Sequence, residues 1–248
     1  GGLADDRWNM PPWFNFGVQF VAAVVAMAHI IFIEVFTLPP LGEVWIAWRW
    51  LALLFSLFWM VGMINAVNFL DGLDGLAAGV GTIAALLFAW HSYRLAAAGA
   101  LGQTTVAAFG LALAGALLGL LPFNFAPARI FLGSGAYVLG YQLATLSILA
   151  PAKIATALLV LAIPIIDVAW QIVARLRRGQ SPFRGDRGHL HFRLSDGGWP
   201  TRRIVLLYYL FTLAFGLVAI FASGLVKLIV LLGLVTAVVG LLFWFSVK

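Results

Sequence analysis

The chain has 248 residues, of which 63% are hydrophobic and 10% charged, and its mean hydropathy is +1.04. Soluble domains contain about 45–50% apolar and about 25% charged residues, so this composition excludes an ordinary soluble domain and indicates a polytopic membrane protein. The net charge of +6 fits basic residues at lipid head groups better than a nucleic-acid site, and the absence of cysteine leaves only oxygen or imidazole ligands for any metal.

Eight segments are apolar and long enough to cross a membrane, since a spanning helix needs about 20 apolar residues. They lie near residues 16–38, 47–66, 76–93, 104–122, 130–149, 152–172, 203–223 and 226–246. Most of the connections between them are short and contain proline, glycine and polar residues. We therefore expect an all-α, polytopic integral membrane bundle with about eight transmembrane helices, forming a single domain over residues 1–248.

Two adjacent aspartates, Asp5 and Asp6, precede the first span. Like charges side by side near a membrane surface are unfavourable unless a cation offsets them. The chain starts with glycine rather than methionine and shows no signal-peptide pattern. We expect it to be a fragment that lacks the first spans of a longer protein.

The stretch NAVNFLDGLDGLAAG, residues 65–79, joins the second and third spans. Its polar residues recur every three positions: Asn65, Asn68, Asp71 and Asp74. On an ideal helix the first three share one side, and the flexible backbone at Gly72 and Gly75 could bring the fourth to the same point. Helix capping is the alternative, but it explains one or two such residues rather than four.

Carboxylate-rich sites that retain water suit Mg²⁺, particularly where a substrate adds phosphate oxygens. A calcium loop of the EF-hand type fits this stretch poorly, because DGLDGLAAGVGT has leucine at its third position and no glutamate at its twelfth. Magnesium is therefore the better candidate ion.

One connection, residues 173–202, is long and rich in arginine and histidine. Arg175, Arg177 and Arg178 lie beside a span and are typical of a topology signal at lipid head groups. His189 and His191, with neighbouring arginines, could contact several phosphate oxygens. A zinc site is the alternative, but the sequence offers no obvious third ligand.

An excess of arginine and lysine marks the cytoplasmic side of a membrane protein. If the 173–202 loop is cytoplasmic, alternation of the spans places Asp5 and Asp6, residues 65–79 and residues 123–136 on the same side. Transporters more often place polar groups near the middle of the membrane, in broken helices. Polar residues at the ends of spans favour a site at one membrane face instead.

With these motifs, the chain resembles the polyprenyl-phosphate N-acetylhexosamine-1-phosphate transferase family. It is most similar to the bacterial branch that moves N-acetylglucosamine-1-phosphate onto undecaprenyl phosphate. The matching stretches are GGLADDR, NAVNFLDGLDGLAAG, LPFNFAPARIFLG and SPFRGDRGHLHFRL. Members of this family have about ten or eleven spans, which would leave two or three before Gly1.

The resemblance implies a role for each motif. Asp5 and Asp6 would serve catalysis and the prenyl phosphate, and Asp71 and Asp74 would be catalytic and bind Mg²⁺, which Mn²⁺ could replace. The substrate-binding residues it implies are Asn65, Asn68, Arg129, His189, His191 and Arg193.

The implied reaction takes place at the cytoplasmic face of the bacterial inner membrane. A phosphate oxygen of undecaprenyl phosphate attacks the sugar-linked phosphorus of a UDP-N-acetylhexosamine, and UMP leaves. Because a phosphate monoester is mostly ionised at neutral pH, direct attack is favoured, while a two-step route through an aspartyl intermediate stays open. The resemblance also implies contact with membrane lipids and leaves a homodimer open.

The sequence departs from the family at three places. The aspartate expected after Gly133 is absent, Asn15 stands where a lysine is expected, and Phe192 replaces a histidine. Loss of one residue would rotate the following helix by about 100° unless the loop absorbs it. Two alternatives therefore stay open: a catalytically inactive homologue that binds lipid phosphate, and a phospho-N-acetylmuramoyl-pentapeptide transferase.

Overall fold

The computed structural model describes residues 2–8, 10–38, 42–150, 154–177, 179 and 188–247. In these ranges the chain forms eleven helices and one β-hairpin. The elements are α1 (Gly2–Trp8), α2 (Pro12–Ala28), β1 (Val35–Leu38), β2 (Gly42–Trp45), α3 (Arg49–Leu70), α4 (Leu76–Ala97), α5 (Gln103–Asn124), α6 (Gly135–Leu149), α7 (Ile154–Val160), α8 (Ala162–Arg177), α9 (Leu190–Asp196), α10 (Thr201–Phe221) and α11 (Gly224–Val247).

Among the described residues, five helices are long and apolar enough to cross a membrane: α3, α4, α5, α10 and α11. The apolar helices α2 and α6 are shorter, with 17 and 15 residues. The chain is a multi-pass helical membrane protein, as its composition predicts. Each of the eight predicted spans corresponds to a helix or to a pair of helices.

The first predicted span, 16–38, is too long at its carboxyl end. Helix α2 ends at Ala28, and Ile30 takes a left-handed conformation with φ of 65°. Strands β1 and β2 then pair antiparallel, with Val35 opposite Trp45. Residues 35–38 are valine, phenylalanine, threonine and leucine, which suit a strand as well as a membrane helix. Hydropathy alone counts such residues as part of a span.

The predicted span 152–172 is two helices rather than one. Helix α7 ends at Val160 and α8 begins at Ala162. Pro164 lies in the first turn of α8, and a proline ring clashes with the carbonyl group four residues earlier, here that of Val160. The proline therefore accounts for the break at this point.

Small residues let the central helices pack closely, as is usual in membranes. An ideal Cβ atom on Gly140 of α6 would lie 2.6 Å from the Ile64 Cα atom of α3. One on Gly110 of α5 would lie 3.0 Å from the Ala89 side chain of α4. The contact between α6 and α3 brings the start of α6 beside the end of α3, where the polar motif lies.

Candidate active site

The aspartate motif forms a tight loop between α3 and α4. Helix α3 ends at Leu70, and Asp71 follows it as the carboxyl-terminal cap. Gly75 adopts φ of +81°, a left-handed conformation that glycine tolerates best, immediately before α4. The Tyr209 hydroxyl group of α10 donates a hydrogen bond to the Gly75 carbonyl oxygen at 2.5 Å. Asp74 therefore leaves the helical path at the glycines, as the sequence predicts.

The turn after α5 packs against this loop. The Ala128 backbone N–H donates to Asp74 Oδ2 at 2.9 Å. Arg202 Nε, in the first turn of α10, donates to the Ala126 carbonyl oxygen at 2.9 Å. These two hydrogen bonds attach the turn to the Asp74 carboxylate and to α10.

The next part of the same turn joins the first aspartate pair to the loop. The Ser134 N–H donates to Asp6 Oδ1 at 3.2 Å, while the Gly133 N–H donates to the Asp71 carboxylate. The Tyr137 hydroxyl group, near the start of α6, hydrogen-bonds to the Asn68 side chain and is within electrostatic reach of Asp5 and Asp6. Residues distant in sequence therefore meet at one end of the helices.

Burial and, to a smaller extent, the negative charge of Asp74 together raise the pKa of Asp71 to about 7. The N–H of Gly133 opposes this shift. A cation between two such carboxylates would offset both the repulsion between their negative charges and the free-energy cost of burying those charges. The described residues contain no group of three or more histidine or acidic side chains that could hold a metal. Asp71 and Asp74 nonetheless suit Mg²⁺, which is commonly bound by one or two carboxylates and substrate phosphates.

The histidine segment packs directly on the aspartate loop. His189 precedes the short helix α9, and both His189 and His191 are buried. An ideal Cβ atom on Gly72 would lie 2.5 Å from His191 Nε2 and 2.6 Å from Phe192 Cζ. The phenylalanine that replaces an expected histidine therefore packs against Gly72 between the two aspartates.

His191 is held in a neutral state. Burial, followed by the charge of His189, lowers the pKa of His191 to about 3. Neither ring nitrogen of His191 has a hydrogen-bond partner among the described residues. A neutral, desolvated imidazole of this kind can offer one donor and one acceptor to a ligand.

Asp167, on α8, is a site residue that the sequence analysis missed. Its Oδ2 atom lies 3.0 Å from His189 Nδ1, and its Oδ1 atom accepts the Leu190 N–H at 3.0 Å. An acidic residue inside an apolar helix is a signal for function, because such a charge is costly in a membrane. No neighbouring motif marks Asp167, so the only signal in the sequence was an acidic residue within an apolar stretch.

The other predicted substrate-binding residues have different surroundings. Arg193 Nε donates to the Gly188 carbonyl oxygen at 2.7 Å, and Arg193 Nη1 lies 3.5 Å from the Leu242 carbonyl oxygen of α11. Arg193 therefore braces the loop against α11. Asn65 Nδ2 donates to Gln19 Oε1 at 2.6 Å, and the Arg129 side chain is exposed. The roles assigned to these three residues stay predictions, and Arg178 and residues 180–187 lie outside the described part of the chain.

A cavity of about 630 Å³ opens beside the polar site, between α2, α3 and α8. Most of its walls are aromatic and aliphatic side chains: Phe16, Phe20, Leu54, Leu57, Phe58, Val61, Phe69, Val168 and Ile172. Its polar lining residues are Asn65, Gln171, Arg175 and His189. On α3 the lining runs from Leu54 to Phe69, a length of about 22 Å at 1.5 Å per residue. The polar residues of α3 and α8 lie in the half of each helix nearer the aspartate loop.

Comparison with known proteins places the site in a family. The family described as Glycosyl transferase family 4 matches residues 1–151. The chain is 37% identical over 238 residues to the decaprenyl-phosphate N-acetylglucosaminephosphotransferase of Mycobacterium tuberculosis, with 87% of this chain and 59% of the relative covered. It is 30% identical over 226 residues to the probable undecaprenyl-phosphate N-acetylglucosaminyl 1-phosphate transferase of Bacillus subtilis, with 88% and 61% covered.

A further relative is the phospho-N-acetylmuramoyl-pentapeptide-transferase of Moorella thermoacetica, which is 35% identical over 124 residues, 49% of this chain and 38% of the relative. The chain therefore spans 59% of the length of the mycobacterial relative, and the match to the pentapeptide transferase covers less of both proteins. Because the family match covers more than half of its residues and includes both aspartate motifs, the chain belongs to glycosyl transferase family 4.

Proposed function

We propose that the protein transfers N-acetylglucosamine-1-phosphate, or a related N-acetylhexosamine-1-phosphate, from a UDP-sugar to undecaprenyl phosphate at the cytoplasmic face of the bacterial inner membrane. One observation carries the proposal: a long apolar cavity has its polar end beside a group of aspartates and buried histidines. A ligand with a hydrocarbon chain and a phosphate group matches this combination. The named activities of the relatives support the same reaction.

The cavity provides the surface for the acceptor. Its length along α3 corresponds to several isoprene units, and its aromatic and aliphatic walls would hold them by dispersion and exclusion of lipid. The phosphate group would then lie near Asn65 and His189, which line the cavity on the side of the aspartate loop.

The aspartate loop provides the surface for the donor. Asp71 and Asp74 would hold Mg²⁺, and Asp5 and Asp6 would position the acceptor phosphate. When bound, the cation supplies neutralisation of the charge that develops on the diphosphate. The N–H of Ser134 keeps Asp6 in place, and the N–H of Ala128 keeps Asp74 in place.

In the proposed reaction an acceptor phosphate oxygen forms a bond to the sugar-linked phosphorus, and the bond from that phosphorus to the UMP oxygen breaks. The acceptor is already mostly dianionic at neutral pH, so little proton transfer is needed. The products are a polyprenyl diphosphate sugar and UMP, with no change in oxidation state.

UMP release tests the proposal directly. The full-length protein in detergent receives UDP-N-acetylglucosamine and undecaprenyl phosphate, with Mg²⁺ or with EDTA, and UMP is measured. We expect turnover that requires both the lipid and Mg²⁺. UDP-N-acetylmuramoyl-pentapeptide in place of the first donor tests the related transferase activity.

A variant with aspartate inserted after Gly133 tests the alternative of an inactive homologue. Gly133 is the position that faces Asp6, since a Cβ atom there would lie 3.5 Å from that carboxylate, so an added aspartate would enter the acidic group. Turnover by the unmodified chain supports the proposal. No turnover by the unmodified chain, with turnover after the insertion, would contradict it for this chain and show a degenerate copy.

A further inference from the structure

Asp167 of α8 and His189, which lines the cavity, form a buried pair. Asp167 is 4% exposed and His189 2% exposed. Each Asp167 oxygen has one donor: His189 Nδ1 lies 3.0 Å from Oδ2, and the Leu190 N–H donates to Oδ1 at 3.0 Å. A buried carboxylate is costly unless its oxygens accept hydrogen bonds, so both contacts are needed to keep it there.

The His189 ring is fixed from several directions. Phe69 stacks on it with ring centroids 5.1 Å apart, and the His191 ring stacks at 5.8 Å. The Asp167 carboxylate lies at the ring edge, with Oδ2 3.0 Å from Nδ1. The remaining nitrogen, Nε2, is buried and has no hydrogen-bond partner in the part of the chain that the structure describes. His189 also lines the cavity, as Asn65 does.

We propose that Asp167 is a positioning residue that keeps the His189 proton on Nδ1 and thereby leaves Nε2 unprotonated, as the acceptor of a hydrogen bond from a hydroxyl or N–H group of the bound substrate. The inference rests on the proposed function for the role of His189, but the state of the ring can be tested without it. The Asp167 carboxylate also accepts the Leu190 N–H at the start of α9. One side chain of α8 therefore holds both the histidine segment and the His189 ring in place.

The Asp167→Asn variant should reverse the ring. The Leu190 N–H needs an acceptor, so the amide oxygen of the asparagine takes that place. The amide NH₂ group then points at His189 Nδ1, which must become an acceptor, and the ring proton moves to Nε2. The variant keeps the size of the side chain and both hydrogen bonds while exchanging the two ring nitrogens.

Nitrogen NMR of the protein labelled with ¹⁵N-histidine measures this exchange. The chain has four histidines, so the His189 signals are assigned by their loss in His189→Gln. At pH 8 we expect a protonated Nδ1 in the unsubstituted protein and an unprotonated Nδ1 in Asp167→Asn. A wild-type ring protonated only on Nε2, or a ring unchanged by the substitution, would overturn the proposal.

Kinetics separate positioning from a general structural role. Loss of a residue that orients a site ligand costs about 10–100-fold in activity, and we expect a loss of that size in kcat/KM for Asp167→Asn. In a His189→Ala background the same substitution should cost less than about threefold, because its effect passes through the ring. Asp196→Asn, which removes an exposed carboxylate at the end of α9, is the matched control and should change kcat/KM by less than about twofold.

Equal losses from Asp167→Asn in both backgrounds would show a structural effect and overturn the proposal. Failure of the unsubstituted protein to release UMP would count against the proposed function alone. The NMR result would still decide whether Asp167 sets the proton position of His189.

Discussion

We expect a change of charge at Asp71 to affect the polar site more than a change of charge at other residues. It accepts the Gly133 N–H, neighbours Asp74, and has a pKa raised to about 7 by burial and by that neighbour. We expect Asp71→Asn to abolish Mg²⁺-dependent UMP release, with a loss of at least about 1000-fold, since a removed charge-stabilising group costs about that much. Normal release by this variant would contradict the metal assignment.

The same carboxylate should destabilise the folded protein at neutral pH. Its pKa is raised from the unfolded value of 3.8 to about 7, so the folded state binds the proton more tightly and loses stability as pH rises between these values. In EDTA, Asp71→Asn should therefore have a higher Tm than the unsubstituted protein at pH 8. The difference should shrink as the pH falls to 4.5, because the folded-state carboxyl group is then protonated and only a small part of the difference in proton binding remains.

Thermal unfolding in detergent at pH 8 and at pH 4.5 measures this difference. Asp196→Asn, at an exposed position, is the control and should show little change at either pH. A Tm of Asp71→Asn that falls at pH 8 would contradict the raised pKa. Loss of turnover together with gain of stability would also show that the inactive variant is folded.

Residue spacing predicts the local backbone of the aspartate loop, because Gly75 has a direct backbone consequence, while the roles of the aspartates stay predictions. Helix α3 ends immediately before Asp71, and Gly75 takes the left-handed conformation. Asp167 could not be predicted in this way. Its partner His189 lies 22 residues away, and only the folding of the intervening segment brings the two together.

At the scale of elements, α10 supports the aspartate loop through one hydroxyl group. Tyr209 donates to the Gly75 carbonyl oxygen, and its ring occupies the space that a side chain at Gly79 would need, since a Cβ atom there would lie 1.9 Å from the ring. Tyr209→Phe keeps the ring and removes the hydrogen bond. The loop should then hold Asp74 less rigidly.

We expect Tyr209→Phe to raise the Mg²⁺ concentration for half-maximal UMP release by about 2–10-fold, the equivalent of one hydrogen bond of about 0.5–1.5 kcal/mol. Tyr208→Phe is the matched control on the same helix, because the Tyr208 hydroxyl group is buried and has no hydrogen-bond partner among the described residues. That variant should leave the Mg²⁺ dependence unchanged. Equal shifts in both variants would show that the effect is not specific to the loop.

The elements that the sequence predicts poorly are those in which hydropathy and backbone geometry disagree. Residues 35–38 are apolar enough for a helix yet form a strand of a hairpin, and Pro164 divides an apolar stretch into α7 and α8. Both regions satisfy a count of apolar residues. The positions of proline and of strand-forming residues distinguish these two regions from continuous membrane helices. In the structure, the pairing of β1 with β2 shows that residues 35–38 form a strand.

For the whole molecule, the apolar cavity relates the membrane-embedded helices to the polar site at their ends. Gly62 lines this cavity, and an ideal Cβ atom there has no neighbouring atom within 4 Å. A phenylalanine at this position should therefore enter the cavity without displacing a helix. It would occupy space that the proposed function gives to the isoprenoid chain, while leaving the aspartate loop intact.

We expect Gly62→Phe to raise the KM for undecaprenyl phosphate by at least about 10-fold, since excluding only two chain carbons costs about 1.6 kcal/mol. The KM for the UDP-sugar should stay unchanged, because the substitution is far along α3 from Asp71. Gly115→Phe on α5 is the matched control: its Cβ position is equally open, and Gly115 does not line the cavity. An unchanged acceptor KM in Gly62→Phe, or an equal rise in both variants, would contradict binding of the lipid chain between α2, α3 and α8.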